Sequence, residues 1–317
     1  MNRNNPSPPR YKAVCLLCLV LGFVFVPAYH TQRCRTPSTA PQTSQTVVSA
    51  PFCLQGEAVS LQDVPENPCV NILLIGQDRR EGEDRARSDC MILCTFHPDS
   101  RNLTMTSFLR DLYVEIPGYG SNRLNAAYAF GGMPLLKQTF LHNFGVCVDG
   151  AVEVDFDRFC MLIDQLGGLT VALRQDEAEL LNSQIPGALQ AGNQLLNGRQ
   201  ALAFARIRSL DEDGDFSRTL RQQTILTAVL QRCKTATLPE LLRLFKEASP
   251  LLSTDIRPAD AIRLMKQLSA AFSQMNLRSR QIPVAGSYTY QTIDSMCVLV
   301  ADMEQNRTFL QEILADG

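Results

Sequence analysis

The segment Val70-Asn71-Ile72-Leu73-Leu74-Ile75-Gly76 is apolar at nearly every position and closes on glycine. Alternate side chains of a strand point to opposite faces, so apolar residues on both alternations require a strand covered on both sides. The rest of the chain supplies the cover. Further strands are predicted at 91–96, 103–109, 113–116, 151–154, 169–171 and 281–283. Helical periodicity appears at 124–130, 134–144, 157–166, 198–207, 216–231, 241–248, 258–275 and 305–314. Strands alternating with amphipathic helices imply an α/β sandwich around a central sheet, read here as one domain over residues 67–317.

Before that domain lies a stretch of different character. Residues 13–29 read AVCLLCLVLGFVFVPAY without a charge, and Arg3, Arg10 and Lys12 precede them. Positive charge ahead of an apolar run keeps the N-terminus in the cytoplasm and sends the remainder across the membrane. The run is at the short limit for a spanning helix, which needs about 17–25 residues. The expectation is a cytoplasmic tail over 1–12, a single-pass anchor over 13–29 and an extracytoplasmic domain. The alternative is a leader cleaved near Val26-Pro27-Ala28. Residues 30–66, rich in Pro, Ser, Thr and Gln, read as a spacer.

Composition narrows the function. A net charge of −2 with 20% charged residues argues against a nucleic-acid binder, which normally presents a basic face. With three histidines, a His-based metal site or a Ser-His-Asp triad has little material. The nine cysteines outside the apolar run show no close doublets of zinc-site spacing, and Cys90 and Cys94 lie too far apart along a strand to bridge. Most are expected to be small buried residues. The basic residues, by contrast, are 25 arginines and five lysines. Arginine's planar fork suits bidentate binding of carboxylate or phosphate.

Charged residues collect in four places: Asp78, just past the first strand; Arg85-Ala86-Arg87-Ser88-Asp89, leading into the next; Arg110-Asp111, at another strand end; and the densest, Arg206 to Gln223. Open α/β sheets hold ligands at such strand ends. Arg206 and Arg208 share a face if the chain between them is extended. Arg218, Arg221 and Gln222 fall on one helix face, and Asp215 stands where a helix cap is expected. Arginines beside acids suit a highly charged anion, with Asp78 and Asp89 offering hard oxygen ligands to Mg²⁺. An apolar helix face of Phe156, Phe159, Leu162, Ile163 and Leu166 reads either as the lining of a lipid channel or as ordinary core.

Taken together and in order, NILLIGQD, ARSD, LRDLYVEIPGYG, RLNAAYAFGG, VEVDFDRFCMLIDQLGG, LNGRQALAFARIR and GDFSRTLRQQ resemble the LytR-CpsA-Psr family of cell-wall enzymes, from about Asn71 to the C-terminus. The resemblance implies a three-layer α/β/α domain with a central mixed sheet, behind an N-terminal membrane anchor. It implies a phosphotransferase that moves a glycopolymer such as teichoic acid or capsule from a polyprenyl-pyrophosphate carrier to peptidoglycan N-acetylmuramic acid. By position, Asp78 and Asp89 resemble acids that hold Mg²⁺, with Mn²⁺ as an alternative. Arg87, Arg110, Arg206, Arg208 and Arg218 resemble a pyrophosphate clamp, Gln222 a further head-group contact, and Asp215 an acid near the reacting centre. Arg110, Arg208 and Asp215 are thus the expected catalytic residues, while Arg221 matches the motif without an assigned role. Gln77, Leu109 and Cys90 depart from the family pattern and remove no charge. Two rival readings keep the same charges: a polyprenyl-pyrophosphate phosphatase, with water in place of the sugar acceptor, and a non-catalytic sensor of lipid-linked precursors.

Overall fold

The computed structural model describes residues 69–78, 87–235, 247, 249–256 and 275–315. The expected anchor, the spacer, Arg85 and the helices expected at 241–248 and 258–275 lie outside these residues, apart from single positions at the edges. Among the described residues no helix is long and apolar enough to cross a membrane.

A six-stranded mixed sheet forms the centre, in the order β10-β3-β2-β1-β6-β9. Its strands are β1 (Val70–Gln77), β2 (Ser88–His97), β3 (Asn102–Phe108), β6 (Gly150–Asp155), β9 (Ser253–Thr254) and β10 (Asn276–Ile282). The first-strand reading holds: Ile72 packs into one core and Leu73 and Ile75 into another, on opposite faces. β1 runs antiparallel to β2 and parallel to β6, β2 antiparallel to β3, and β3 parallel to β10. The C-terminal ends of β1, β3, β6 and β10 therefore share one edge with the start of β2.

One face is covered by α1 (Leu124–Phe144) and α6 (Met303–Ala315). Phe108, Phe140 and Phe144 pack there, with centroids 4.6 to 5.5 Å apart in tilted and edge arrangements that suit aromatic quadrupoles. The sequence predicts two helices over α1. The structure joins them across a kink at Gly132, whose φ of 65° suits a residue without Cβ. The other face carries α2 (Phe156–Gln165), α3 (Gln175–Gln184), α4 (Gly198–Arg206) and α5 (Gly214–Thr235). α4 opens with a capping box, Asn197 and Gln200 each accepting a backbone N–H of the other. At Gly198 a Cβ would collide with the Cys160 backbone, so α2 and α4 meet there main chain to main chain.

Among the described residues there are also two hairpins, β4 (Tyr113–Ile116) with β5 (Gly120–Arg123) and β11 (Tyr288–Ile293) with β12 (Met296–Ala301), and one antiparallel pair joined through α3, β7 (Leu169–Leu173) with β8 (Gly192–Leu196). The sequence reading misses β5, β8, β9, α3 and the whole β11–β12 hairpin. β11 alternates little between apolar and polar, and Gly120-Ser121-Asn122-Arg123 carries turn-type residues.

Phe140 is fully buried among the aromatic trio. Phe140→Ala is expected to destabilise the chain by about 3–5 kcal/mol, read as a lower urea midpoint at unchanged slope.

Candidate functional site

Five side chains reach the common edge from the sheet. Asp78 follows β1, Arg110 and Asp111 follow β3, and Phe156 follows β6. Asp89 arrives by a β-bulge: Gly76 pairs with Cys90 and Gln77 with Ser88, leaving the residue between without a partner on β1. A bulge re-aims a side chain, and this one turns Asp89 into the wall of a cavity. Gln77 anchors the end of β1, its amide donating to the buried Glu153 carboxylate, which Tyr128 Oη also meets. Its long side chain thus has a structural use beneath the site.

The cavity, of about 540 Å³, lies between the sheet edge and α2, α4 and α5. Its mouth holds Asp78, Asp89, Arg110, Arg206, Arg208, Arg218 and Gln222. Its interior is apolar, lined by Ile92, Val152, Phe159, Leu162, Ile163 and Ile225 among others. Of the α2 stripe, Phe156, Phe159, Leu162 and Ile163 line it, whereas Leu166 is core.

Each mouth arginine is balanced by an acid. Arg110 Nη1 donates to Asp89 Oδ1 at 2.7 Å, and Arg110 Nε lies 3.4 Å from Asp111 Oδ2. Asp111 Oδ1 also accepts from Arg123 at 3.0 Å. Arg208 Nε and Arg218 Nη2 flank Asp215 Oδ1 at 3.4 and 3.5 Å. Arg206, 52% exposed, lies 3.8 Å from Asp78 and sits over the Phe156 ring at 4.7 Å. Burial opposes the charge on Arg110, but the Asp89 hydrogen bond and the fields of Asp89, Asp111 and Asp215 outweigh it and raise its pKa. Burial raises Asp215 above the usual carboxylate range; Arg208 and Arg110 pull it down, and Asp111 adds to the rise. Asp215 Oδ1, Arg218 Nε and Arg110 Nε are buried without a hydrogen-bond partner. Arg110 and Arg218 line the cavity, so these two donors suit an incoming polar acceptor, whereas Asp215 lies behind them and is not among the lining residues.

Asp78 and Asp89 line the same cavity, and among the described residues no group of three or more His, Cys, Asp or Glu forms a protein-only cage. Two carboxylates beside a guanidinium-rich mouth fit Mg²⁺, which typically takes one or two protein carboxylates and fills its other positions with water and ligand oxygens.

Several expectations change. Asp215 does not cap α5; it lies in the first turn, and the Asp213 carbonyl accepts from Phe216 and Ser217 N–H. Arg206 and Arg208 do not share an extended segment, since Arg206 ends α4. Arg218 and Gln222 face the cavity, but Arg221 turns to a buried carboxylate network instead. Its Nε donates to Glu177 at 2.8 Å, its Nη1 to the Ile207 carbonyl at 3.3 Å, and its Nη2 to Asp211 at 2.5 Å. Arg221 thereby fixes the loop that carries Arg208. Arg87 is exposed beside the undescribed residues 79–86 and is not among the lining residues. Asp111 and Arg123 join the cluster, although the sequence pattern assigns neither a role. Asp111 is visible in sequence as the neighbour of Arg110, whereas Arg123 lies in a strand that the pattern does not reveal.

Cys69, Cys90, Cys94, Cys147, Cys160 and Cys297 are free thiols. Cys69 and Cys94 are buried as expected, but Cys147 and Cys297 are exposed. Burial, with a contribution from Asp89, pushes Cys90 up to about 12, so the thiol in the cavity wall stays protonated.

The LytR_cpsA_psr family profile matches residues 35–312. The chain belongs to that family. Similar proteins include the regulatory protein MsrR of Staphylococcus aureus (strain COL), 35% identical over 50% of this chain and 47% of that one. The polyisoprenyl-teichoic acid–peptidoglycan teichoic acid transferase TagU of Bacillus anthracis (strain CDC 684 / NRRL 3495) is 36% identical over 54% of this chain and 55% of its own. This chain spans about half the length of the curated relatives it matches. A structure of TagT bound to LI-WTA superimposes with a TM-score of 0.64 at 25% identity, covering 78% of this chain and 90% of that one.

Removing one partner from a buried ion pair leaves an uncompensated charge. Arg221→Ala should therefore cost about 3–5 kcal/mol in urea unfolding. Arg206→Ala, at the exposed rim, should stay within about 0.5 kcal/mol of the parent.

Proposed function

We propose that this protein transfers a glycopolymer phosphate from a polyprenyl-pyrophosphate carrier to peptidoglycan N-acetylmuramic acid, releasing polyprenyl phosphate. The observation that carries this reading is the two-part cavity, with a guanidinium-rich mouth opening directly onto an apolar interior. A soluble anion would use the mouth alone; an isoprenoid diphosphate uses both. The similarity to TagU and to TagT bound to LI-WTA supports a lipid-linked glycan as donor. An anchor over residues 13–29 would keep the domain on the outer face of the cell membrane, beside such a donor and the wall.

In this reading Arg110, Arg208 and Arg218 hold the diphosphate, with Gln222 and Arg206 at its edges and Arg87 a further contact from the neighbouring loop. Asp78 and Asp89 would hold Mg²⁺, or Mn²⁺, which when bound adds positive charge beside the diphosphate oxygens. The acceptor hydroxyl oxygen bonds to the sugar-side phosphorus as the bridging P–O bond breaks. The electron pair leaves with the polyprenyl phosphate, and Asp215 takes the hydroxyl proton. Fixed guanidinium groups stabilise the charge that shifts to the leaving phosphate without having to reorganise.

The test uses the full chain in detergent with a short polyprenyl-pyrophosphate disaccharide and peptidoglycan oligomers, followed by mass spectrometry with Mg²⁺ and after chelation. A Mg²⁺-dependent sugar-phosphate adduct on the glycan is expected. Sugar phosphate in solution without adduct would establish a phosphatase, and bound but unreacted lipid a precursor-binding protein. Arg110→Ala and Arg208→Ala should each lower transfer about 100-fold or more. Wild-type rates in both would remove the clamp.

The pH profile tests Asp215. As a base it works ionised, so kcat/KM should fall as pH drops through a value above its ordinary 3.8. Asp215→Asn should lose that limb and retain a low, flat rate. Linkage has the opposite sign: folding raises this pKa, so ionising Asp215 lowers stability as pH rises from the unfolded value through the raised one.

A further inference from the structure

The β11–β12 hairpin carries a set of aromatic rings that the donor reading leaves unused. Tyr288 stacks on Phe216 with centroids 4.9 Å apart and planes at 25°. Tyr290 meets Tyr288 edge-on at 5.9 Å and 89°. Phe216 and Tyr288 are rooted in the core on the α1 face, while Tyr290 is 59% exposed. An exposed aromatic side chain ordinarily gains from covering its ring. Here the edge contact holds the ring of Tyr290 in place and leaves it open to solvent.

The hairpin is bound to the site by main-chain contacts. Tyr290 pairs across the hairpin with Leu299. Leu299 N–H donates to the Asp111 carbonyl at 2.9 Å and bridges to Leu112. Tyr290 is therefore one strand removed from the Arg110-Asp111 turn. From the other side, Phe216 follows Asp215 in sequence. Burial raises both hydroxyl pKa values, with Asp213 adding to the rise at Tyr288 and Tyr288, Asp215 and Asp213 adding to it at Tyr290. Thr292 is exposed and shares the strand face of Tyr288 and Tyr290.

We propose that this aromatic shelf is part of the acceptor subsite, and that it binds an uncharged N-acetylhexosamine ring of the acceptor glycan, next along the strand to the muramic acid that reacts. The inference rests on the transfer reading above and names where its second substrate sits. The chemistry of the shelf selects the sugar. A pyranose offers an apolar C–H face to a ring and hydroxyls at its edge, and tyrosine offers an apolar face with a polar tip. The fields of Asp213 and Asp215 at these rings disfavour a second anion there, whereas an uncharged N-acetylhexosamine meets no repulsion. The diphosphate belongs to the arginines and the uncharged ring to the shelf. A ring seated on this shelf adjoins, through Phe216, the helix turn that carries Asp215.

The test separates acceptor from donor. Binding of a soluble peptidoglycan tetrasaccharide to the full chain in detergent is measured by calorimetry without donor. Binding of a short-chain polyprenyl pyrophosphate is measured separately. Tyr290→Ala should weaken tetrasaccharide binding about tenfold, equivalent to about 1.4 kcal/mol, and raise the acceptor KM by a similar factor. Tyr290→Phe keeps the ring and should bind within about twofold of the parent, which a loss of folding would not produce. Polyprenyl-pyrophosphate affinity should be the same in all three proteins. Tetrasaccharide binding unaltered in Tyr290→Ala overturns the shelf, as does a parent protein that transfers to glycan without measurable dependence on this ring. Ring-dependent tetrasaccharide binding in a protein that fails to hold the pyrophosphate would sustain the shelf and discard the donor reading.

Discussion

Guanidinium groups gathered at one cavity repel one another, and partial burial strengthens the repulsion. The site depends on how that repulsion is answered. Asp215 stands between Arg208 and Arg218, Asp111 between Arg110 and Arg123, and Asp89 and Asp78 take Arg110 and Arg206. Signs alternate through the cluster, so the arginines are oriented before any ligand arrives. Several contacts are ion pairs at 3.4 to 3.8 Å rather than hydrogen bonds. Their donors keep capacity for further acceptors, and the cluster is therefore both assembled and unsaturated.

The sheet converts this electrostatic requirement into geometry. Mixed pairing brings the ends of β1, β3 and β6 and the start of β2 to one edge, and the bulge turns Asp89 inward. The N-terminus of α1 fastens the Arg110 turn, with Asn125 N–H donating to the Arg110 carbonyl at 3.1 Å and Leu124 N–H to that of Leu112 at 2.8 Å. On the opposite bank Gln223 ties α5 to β3 and β10 through Ser107 and the Arg280 carbonyl. Arg218 and Gln222 are presented from a helix stitched to the same sheet that presents Arg110. Such rigidity suits a mechanism that relies on positioning.

What is legible in the sequence follows physical signal strength. β1 is readable because apolar residues on both alternations demand cover on both faces, a requirement that a central strand meets. Asp78, Asp89, Arg110, Arg206, Arg208, Arg218 and Gln222 are readable as a set because charge concentrates at strand ends, and these residues line one mouth. Arg221 is inseparable from Arg218 and Gln222 in sequence, because helical spacing gives a face but not what packs on it. Its partner Glu177 lies on a helix of weak periodicity that the pattern does not reveal. In the β11–β12 hairpin β11 is largely exposed and gives a period-two reading little burial contrast, whereas β12, MCVLVA, carries the same continuous apolar signal as β1 and is legible, although the sequence reading omits it. Asp215 looks like a cap because local sequence shows a helix start but not the two arginines that claim its carboxylate.

Gly198 gives the apolar interior a property of its own. Because α2 and α4 touch through their main chains there, the distance between two walls of the cavity is fixed by peptide planes rather than by side chains. Mutational drift in Phe159 or Leu202 can reshape the lining, yet it leaves the gauge of the channel unchanged. A methyl group at 198 would act as a wedge, widening the channel and shifting Arg206 at the far end of α4 in the same movement. The width of the apolar interior and the placement of Arg206 are thus mechanically coupled.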